Sequence, residues 1–187
     1  MRIEEDHKLD YKSVLIRPKR STLGSRSQVE LSRDFTFRNV ELDQAEPHYH
    51  GVPIMASNMD GVGTFEMAEA LSQQGLFTCL VKNYESTDLI DFFSQDNAAR
   101  RENVAYSTGI TSQDFAKFDG VYKQTGSGLK YVCVDVANGY SERFSQFIKQ
   151  LRDAYPAIVI IAGNVVTGEM TEELILNGAD IVKVGIG

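Results

Sequence analysis

Short apolar segments rich in β-branched residues recur along the chain about every 25 residues. Each has the length of a strand and is almost continuously hydrophobic, which is typical of strands buried on both faces of a parallel sheet. The six segments are Val52–Met55, Leu76–Val81, Val104–Ser107, Tyr131–Val136, Ile158–Ala162 and Ile181–Val184.

Amphipathic stretches lie between these strands and carry apolar residues at helical spacing. The periodicity predicts helices at Thr64–Gln74, Ser141–Tyr155 and Thr167–Leu176, and shorter ones near Leu89–Phe93 and Ser112–Phe118. Strand followed by helix, repeated along the chain, indicates a series of βα units.

Two α/β architectures are built from such units, the doubly wound open sheet and the (β/α)8 TIM barrel. A barrel needs eight strands and typically about 250 residues. The sequence has six strands in 187 residues, and the sixth runs to Gly187 without a helix to cover it. We therefore expect a TIM barrel truncated after the sixth strand, with residues 1–187 as about six of eight units of a single domain.

The first 50 residues lack this repeat and alternate short apolar pairs with polar and basic residues. They predict strand-like segments near Val14–Ile16 and Val29–Phe37, which either cap the bottom of the barrel or reach a neighbouring subunit. The N-terminus is charged and has no apolar signal segment.

Composition narrows the classes of partner. The formal net charge of −7 argues against nucleic acid or an anionic membrane, and no apolar stretch approaches the roughly 18 residues of a membrane helix. Cys79 and Cys133 lie inside apolar strands, which favours reduced core thiols and a cytoplasmic location. The pair His48 and His50 has the spacing of metal ligands, on what is predicted to be a loop.

Polar residues gather where the predicted strands end, and in a βα array these ends meet at one mouth. Asn58 or Asp60 is either the cap of the next helix or a site residue at this mouth. Lys82 is either a solvated charge or a site residue. Asp135 interrupts a strand that should be buried, where an unpaired carboxylate is costly. It shares a strand face with Tyr131 and Cys133, so we expect it to point into the barrel lumen.

Several motifs at the mouth together resemble one family. They are Asn58-Met59-Asp60, Lys82-Asn83-Tyr84, Ser107-Thr108-Gly109, DVANGYSE at 135–142, AGNVVTGEM at 162–170 and GADIVKVGIG at 178–187. This combination resembles the IMP dehydrogenase/GMP reductase family over nearly the whole chain. Asn138, the form of the NVVTGEM segment and the short connection after Tyr84 resemble the reductases more than the dehydrogenases.

The resemblance implies reductive deamination of GMP to IMP and ammonia by NADPH, through a cysteine thiolate that adds to the purine. It implies cofactor contacts from Asp135, Val136 and Ala137, with Lys82 near the cofactor and the departing amine. The resemblance also assigns a cofactor contact to Ile186 and Gly187, with the Gly187 carbonyl oxygen on a potassium ion. A further implication is a homotetramer, in which Ser25 and Arg26 reach a neighbour's cofactor.

The sequence also departs from the family pattern. The resemblance places the nucleophilic cysteine after Gly187, so we expect the chain as given to be inactive by itself. Gly61, Ser57 and Asn83 replace the usual threonine, alanine and histidine, and Asn83 cannot carry a proton at neutral pH. The alternatives are a non-catalytic half-barrel that binds nucleotide or a full-length partner, and an IMP dehydrogenase relative.

Overall fold

The computed structural model describes residues 9–41, 48–94 and 98–185 of a chain that divides into two units, Met1–Glu30 and Leu31–Gly187. In the first unit, single 3-10 turns at Tyr11–Ser13 and Arg26–Gln28 interrupt irregular backbone. The prediction of a strand near Val14–Ile16 is wrong. This segment pairs with no strand of either described sheet, so it lacks the hydrogen bonds that a strand makes with its neighbour.

The second unit contains two sheets. Strands β1 (Arg33–Phe35) and β2 (Tyr49–Gly51) pair antiparallel, so the strand predicted near Val29–Phe37 is confirmed only at Arg33–Phe35. The other six strands are all parallel and pair in chain order, as a sheet curled into a half-barrel. They are β3 (Met55–Ala56), β4 (Phe77–Cys79), β5 (Val104–Thr108), β6 (Tyr131–Asp135), β7 (Val159–Val165) and β8 (Ile181–Val184). The predicted barrel architecture is confirmed over these six strands.

Helices follow the strands, and most were predicted. Thr64, Ser141 and Thr167 each cap a helix with a side-chain oxygen that accepts a backbone N–H, as the residue types favour. The described helices are α1 (Phe65–Ser72), α2 (Ser86–Ser94), α3 (Ala98–Asn103), α4 (Ser112–Thr125), α5 (Glu142–Ala154) and α6 (Gly168–Leu176). The sequence did not predict α3. No helix in the described ranges is long and apolar enough to cross a membrane.

Successive side chains along each strand point to opposite faces of the sheet, and they form two buried layers. Val132, Val134 and Ile160 face the helices, while Tyr131 and Cys133 face the lumen. The β1–β2 sheet covers the lower, amino-terminal end of the lumen. There the Tyr131 hydroxyl donates to the His48 carbonyl at 2.9 Å, and the rings of Tyr49 and Phe77 meet edge to face at 5.7 Å. The expected cap at the bottom of the barrel is confirmed for this part of the N-terminal region.

Candidate functional site

The upper end of the lumen carries a row of three residues on adjacent strands. Asp135 on β6 is in register with Gly163 on β7, which is in register with Lys183 on β8. The Lys183 ammonium reaches across β7 to form an ion pair with the Asp135 carboxylate. It also donates to Oδ1 of Asn58, in the loop after β3, at 3.1 Å. Asp135 therefore points into the lumen as predicted, and its partner comes from two strands away.

Gly163 makes this contact across the strand possible. A Cβ atom at this position would lie 2.6 Å from Lys183 Cβ and 2.8 Å from the Lys183 carbonyl oxygen. Neither distance is tolerated between non-bonded atoms, and the second neighbour is backbone that cannot rotate away. Because Gly163 has no side chain, the space above this position of β7 is free, and the Lys183 side chain extends across it toward Asp135.

The charge pair lies in a partly water-excluded position, with 20% of the Lys183 side chain and 33% of the Asp135 side chain exposed. Burial lowers the pKa of Lys183, but the hydrogen bond and charge of Asp135, together with any charge on Cys133, raise it more. The net direction is upward, so the ammonium stays charged at neutral pH. It holds the Asp135 carboxylate in a fixed place at the mouth.

A pocket of about 590 Å³ opens beside this pair. It brings together Lys82, Asp135, Val136 and Ala137, the four predicted cofactor-binding residues of the described half-barrel. Lys82 itself is exposed, at the turn that follows β4. The complete lining is Lys82, Gly109, Ile110, Thr111, Asp114, Asp135, Val136, Ala137 and Asn164.

Local hydrogen bonds set the shape of the loops around the pocket. Thr111 and Asp114 form a reciprocal capping box at the start of α4, with the Thr111 N–H donating to Asp114 Oδ2 at 2.9 Å. The Asn138 side chain accepts from the Tyr140 N–H at 3.0 Å in the loop after β6. Asn164 Nδ2 donates to the Gly185 carbonyl at 2.8 Å and so ties the ends of β7 and β8. These bonds hold the loops that form the pocket walls in place.

The other predicted site residues lie elsewhere. Ser25 caps the turn Arg26–Gln28 in the first unit, and Arg26 is exposed there. Ile186 and Gly187, to which the resemblance assigns the last cofactor contact and the potassium ion, lie outside the described residues.

His48 and His50 do not come together as a pair of metal ligands. His48 is buried, and its Nδ1 accepts the Phe37 N–H at 2.8 Å. The exposed His50 ring instead pairs with Asp34 at 2.6 Å. Because the two rings have different surroundings, the interpretation of their spacing as a ligand pair is wrong. Within the described ranges no group of three or more His, Cys, Asp and Glu residues is arranged to hold a metal ion.

Both cysteines are free and buried, as predicted. The hydrogen bond with Cys133 and burial raise the pKa of the Cys79 thiol well above its usual range. Cys133 lies two residues below Asp135 on the lumen face and has no exposed surface. Neither thiol reaches the pocket at the mouth.

The sequence analysis gives no individual role to two residues of the site, Lys183 and Asn164, and it gives Asn58 two alternatives. Lys183 could have been found by the reasoning applied to Asp135, because it too interrupts an apolar strand, in the sequence IVKV. Of the two alternatives for Asn58, a helix cap or a residue of the mouth, the structure supports the second, because Thr64 caps the helix and Asn58 accepts from Lys183. The Asn164 contact depends on how β7 and β8 are placed, which the sequence pattern does not specify.

Comparison with known proteins identifies relatives over the whole chain. The family model of the IMP dehydrogenase / GMP reductase domain matches residues 8–187. A GMP reductase from Caenorhabditis elegans is 54% identical over 186 residues, covering 100% of this chain and 50% of that protein. GMP reductase 2 from Bos taurus is 53% identical over 185 residues, covering 99% of this chain and 51% of that protein.

The fold is similar to that of a solved relative. The crystal structure of inosine 5' monophosphate dehydrogenase from Legionella pneumophila superimposes with a TM-score of 0.71 at 25% identity, covering 89% of this chain and 48% of that one. The chain spans about half the length of the curated relatives it matches. With a family model that matches 180 of its residues and relatives more than half identical to it, the chain belongs to the IMP dehydrogenase/GMP reductase family.

Proposed function

We propose that this chain is the cofactor-binding part of an NADPH-dependent GMP reductase, which converts GMP to IMP and ammonia. The observation that carries the proposal is the pocket at the barrel mouth, where Lys82, Asp135, Val136 and Ala137 line one space. Relatives named GMP reductase and more than half identical to this chain support the reductase rather than the dehydrogenase reaction.

The residues present fit a nicotinamide dinucleotide. The pocket volume of about 590 Å³ falls within the roughly 300–1,000 Å³ of ligand pockets. Apolar side chains, Val136, Ala137 and Ile110, offer a surface for a flat ring, and a carboxylate stands beside them for ribose hydroxyls. NADPH, when bound, supplies the hydride that the reaction requires.

Each charged residue has a distinct task in this proposal. Asp135 accepts hydrogen bonds from sugar hydroxyls, and its ion pair with Lys183 holds that carboxylate oriented toward the mouth. Lys82, which lines the same pocket, supplies a positive charge near the cofactor and the departing amine. The fixed loops at Asn138 and Asn164 keep the pocket open before the ligand arrives.

The proposal extends to the assembly that the family resemblance implies. In it, Ser25 and Arg26 contact the cofactor of a neighbouring subunit in a homotetramer, and the Gly187 carbonyl binds potassium. The exposed position of Arg26 is compatible with such a role. In this proposal neither Cys79 nor Cys133 is the nucleophile, because both are buried in the lumen.

Binding of NADPH tests the pocket directly. Asp135→Asn and Lys82→Ala should each weaken NADPH binding by at least about tenfold, which corresponds to about 1.4 kcal/mol. Matched controls are Asp153→Asn and Lys149→Ala, which change the same charges on exposed positions of α5 away from the pocket. Isothermal titration calorimetry measures all four. Equal affinities in the site and control variants would remove the pocket from the proposal.

Turnover tests the reaction. The protein isolated from its own source should oxidise NADPH only when GMP is present, whereas activity with IMP and NAD⁺ would assign it to the dehydrogenases. The 187-residue chain alone should bind NADPH without turnover. GMP-dependent oxidation by that chain after Cys79→Ala and Cys133→Ala would overturn the cysteine mechanism, and failure to bind any dinucleotide would contradict the cofactor role of the pocket.

A further inference from the structure

A tyrosine hydroxyl joins the loop after β6 to the start of α6. Tyr140 lies in this loop, and its hydroxyl oxygen accepts the Val166 N–H at 2.8 Å and the Thr167 N–H at 3.1 Å. The same oxygen lies 3.5 Å from Thr167 Oγ1. We call the two bonds from the backbone N–H groups the Tyr140 clamp. One side chain thus binds two consecutive N–H groups of the next βα unit.

Close packing of the backbone brings the two segments together. Gly139 is buried against the end of β7, where a Cβ atom would overlap the Asn164 carbonyl oxygen and lie 2.8 Å from Val165 Cγ1. A glycine at this position therefore permits the approach. The Asn138 side chain accepts the Tyr140 N–H at 3.0 Å, which fixes the loop in a local turn just before the clamp.

The clamp connects two parts of the pocket at the mouth. Val136 and Ala137, in the same loop as Tyr140, line that pocket, and so does Asn164 at the end of β7. Tyr140 itself is not among the lining residues. Its hydroxyl therefore acts on the pocket by fixing the loop after β6 relative to β7, and not by touching a ligand.

The fold has little need of the clamp for its stability. Tyr140 is 41% exposed and Val166 is 53% exposed, so water replaces the hydroxyl as the acceptor when it is absent. Helix α6 also has its own cap, because the Thr167 side chain accepts the Met170 N–H. The main effect of the clamp is thus on the order of the loop and not on folding.

We propose that Tyr140 is a positioning residue for the dinucleotide, because its clamp holds Val136 and Ala137 in place relative to Asn164. This inference rests on the proposed function of the pocket. A loop that is already held in its bound arrangement loses less conformational freedom when the ligand binds, so the affinity is higher. Coupling of this kind is reciprocal. If the clamp strengthens NADPH binding, NADPH must strengthen the clamp by the same factor.

The experiment combines calorimetry of NADPH binding with hydrogen exchange of the backbone amides in the 187-residue chain. Tyr140→Phe keeps the ring and removes only the acceptor. We expect it to weaken NADPH binding about tenfold and to speed exchange at the Val166 and Thr167 amides. Saturating NADPH should slow exchange at these two amides about tenfold in the wild type, and leave it unchanged in the variant. The matched control Tyr122→Phe removes a hydroxyl from α4 that does not line the pocket, and it should change neither measurement.

Urea unfolding separates positioning from a general loss of structure, and we expect Tyr140→Phe to keep the wild-type midpoint. Equal NADPH affinity in the wild type and Tyr140→Phe would overturn the inference, and so would wild-type amide exchange at Val166 and Thr167 that ignores NADPH. In both cases the wild type still binds NADPH, so the proposed function stands. A lower urea midpoint with faster exchange throughout α6 would make Tyr140 a structural residue and would also overturn the inference. If the wild type binds no NADPH, the proposed function fails and this inference fails with it.

Discussion

The two ends of the lumen are built from opposite chemistry. At the lower end, Phe77 and Tyr131 are buried and meet edge to face at 5.0 Å. At the upper end, Asp135 and Lys183 form an ion pair that is partly exposed to water. Burial of large rings stabilises a fold strongly, whereas an ion pair in such a position contributes little. The lower end therefore holds the half-barrel together, and the upper end keeps charges in place for a ligand.

The lower end also satisfies its own polar groups. The Tyr131 hydroxyl donates to the buried His48 carbonyl, so that the ring and its hydroxyl both have partners. The upper end keeps polar groups facing the open pocket, at Lys82 and Asp114. Substitutions at the two ends should consequently affect different properties, stability below and binding above.

The largest effect on stability is expected for Tyr131→Ala. The substitution removes a fully buried ring from the centre of the lower end, which should reduce the free energy of unfolding by about 3–5 kcal/mol. Urea unfolding followed by circular dichroism measures the change. The control Tyr131→Phe keeps the ring and removes the hydroxyl that donates to the His48 carbonyl, which should reduce the free energy of unfolding by about 1–3 kcal/mol. A loss below 1 kcal/mol for Tyr131→Ala would contradict the stabilising role of the lower end.

Gly163→Ala should have the next largest effect. The new Cβ would collide with the Lys183 backbone and separate β7 from β8, reducing the free energy of unfolding by about 1–3 kcal/mol. It should also displace the ammonium from Asp135 and thereby weaken NADPH binding. Gly168→Ala is the control, because a Cβ there meets open space at the start of α6. Equal stability in the two variants would show that β8 adjusts without loss.

Replacement of the charge pair tests the upper end. The double variant Asp135→Leu/Lys183→Met should differ from the wild type by no more than about 1 kcal/mol in the free energy of unfolding, while NADPH binding is lost. Each single variant should be less stable than the double variant, because it leaves one partly buried charge without its partner. A double-mutant cycle by urea unfolding measures this coupling. A loss as large as that of Tyr131→Ala would contradict the comparison of the two ends.

The strand order and the main helices could be predicted from the sequence because they follow from the local spacing of apolar residues. Asp135 was found by a local argument too, since a carboxylate in an apolar strand needs a specific reason to be there. Helix α3 has no comparable signal, because AARREN offers no apolar stripe to bury.

Contacts across the lumen were beyond reach of the sequence. The pairing of Asp135 with Lys183 depends on the register of three strands and on the empty position at Gly163. The bond from Lys183 to Asn58 further depends on the curvature that brings β8 toward the loop after β3. Local sequence patterns do not specify strand register or sheet curvature. Individual site residues such as Asp135 can therefore be predicted from the sequence, whereas their hydrogen-bond and ion-pair partners cannot.

Alkaline pH distinguishes the two ends by a smaller effect. Burial raises the pKa of Tyr131. Burial lowers the pKa of Lys183, but the negative charges around its ammonium, Asp135 among them, raise that pKa more, so the net shift is upward. In the unfolded chain these groups lose their protons near pH 10 and 10.4, whereas the folded chain retains them. The unfolded state then binds fewer protons than the folded state. Both groups therefore stabilise the fold fully below about pH 10, and their contributions decrease as the pH rises further.

The slopes of stability against pH separate the two contributions. Between pH 10 and 11 the free energy of unfolding of the wild type should fall with pH. Tyr131→Phe should make this fall less steep by up to about 1.4 kcal/mol per pH unit, which is the slope that one proton contributes. Lys183→Met should remove less, because a fifth of that side chain is exposed and its ion pair is weakened by salt. Urea unfolding across this pH range, at low and high sodium chloride, measures both slopes. A larger, salt-independent change for Lys183→Met would show that the charge at the mouth stabilises the half-barrel more than the buried ring does.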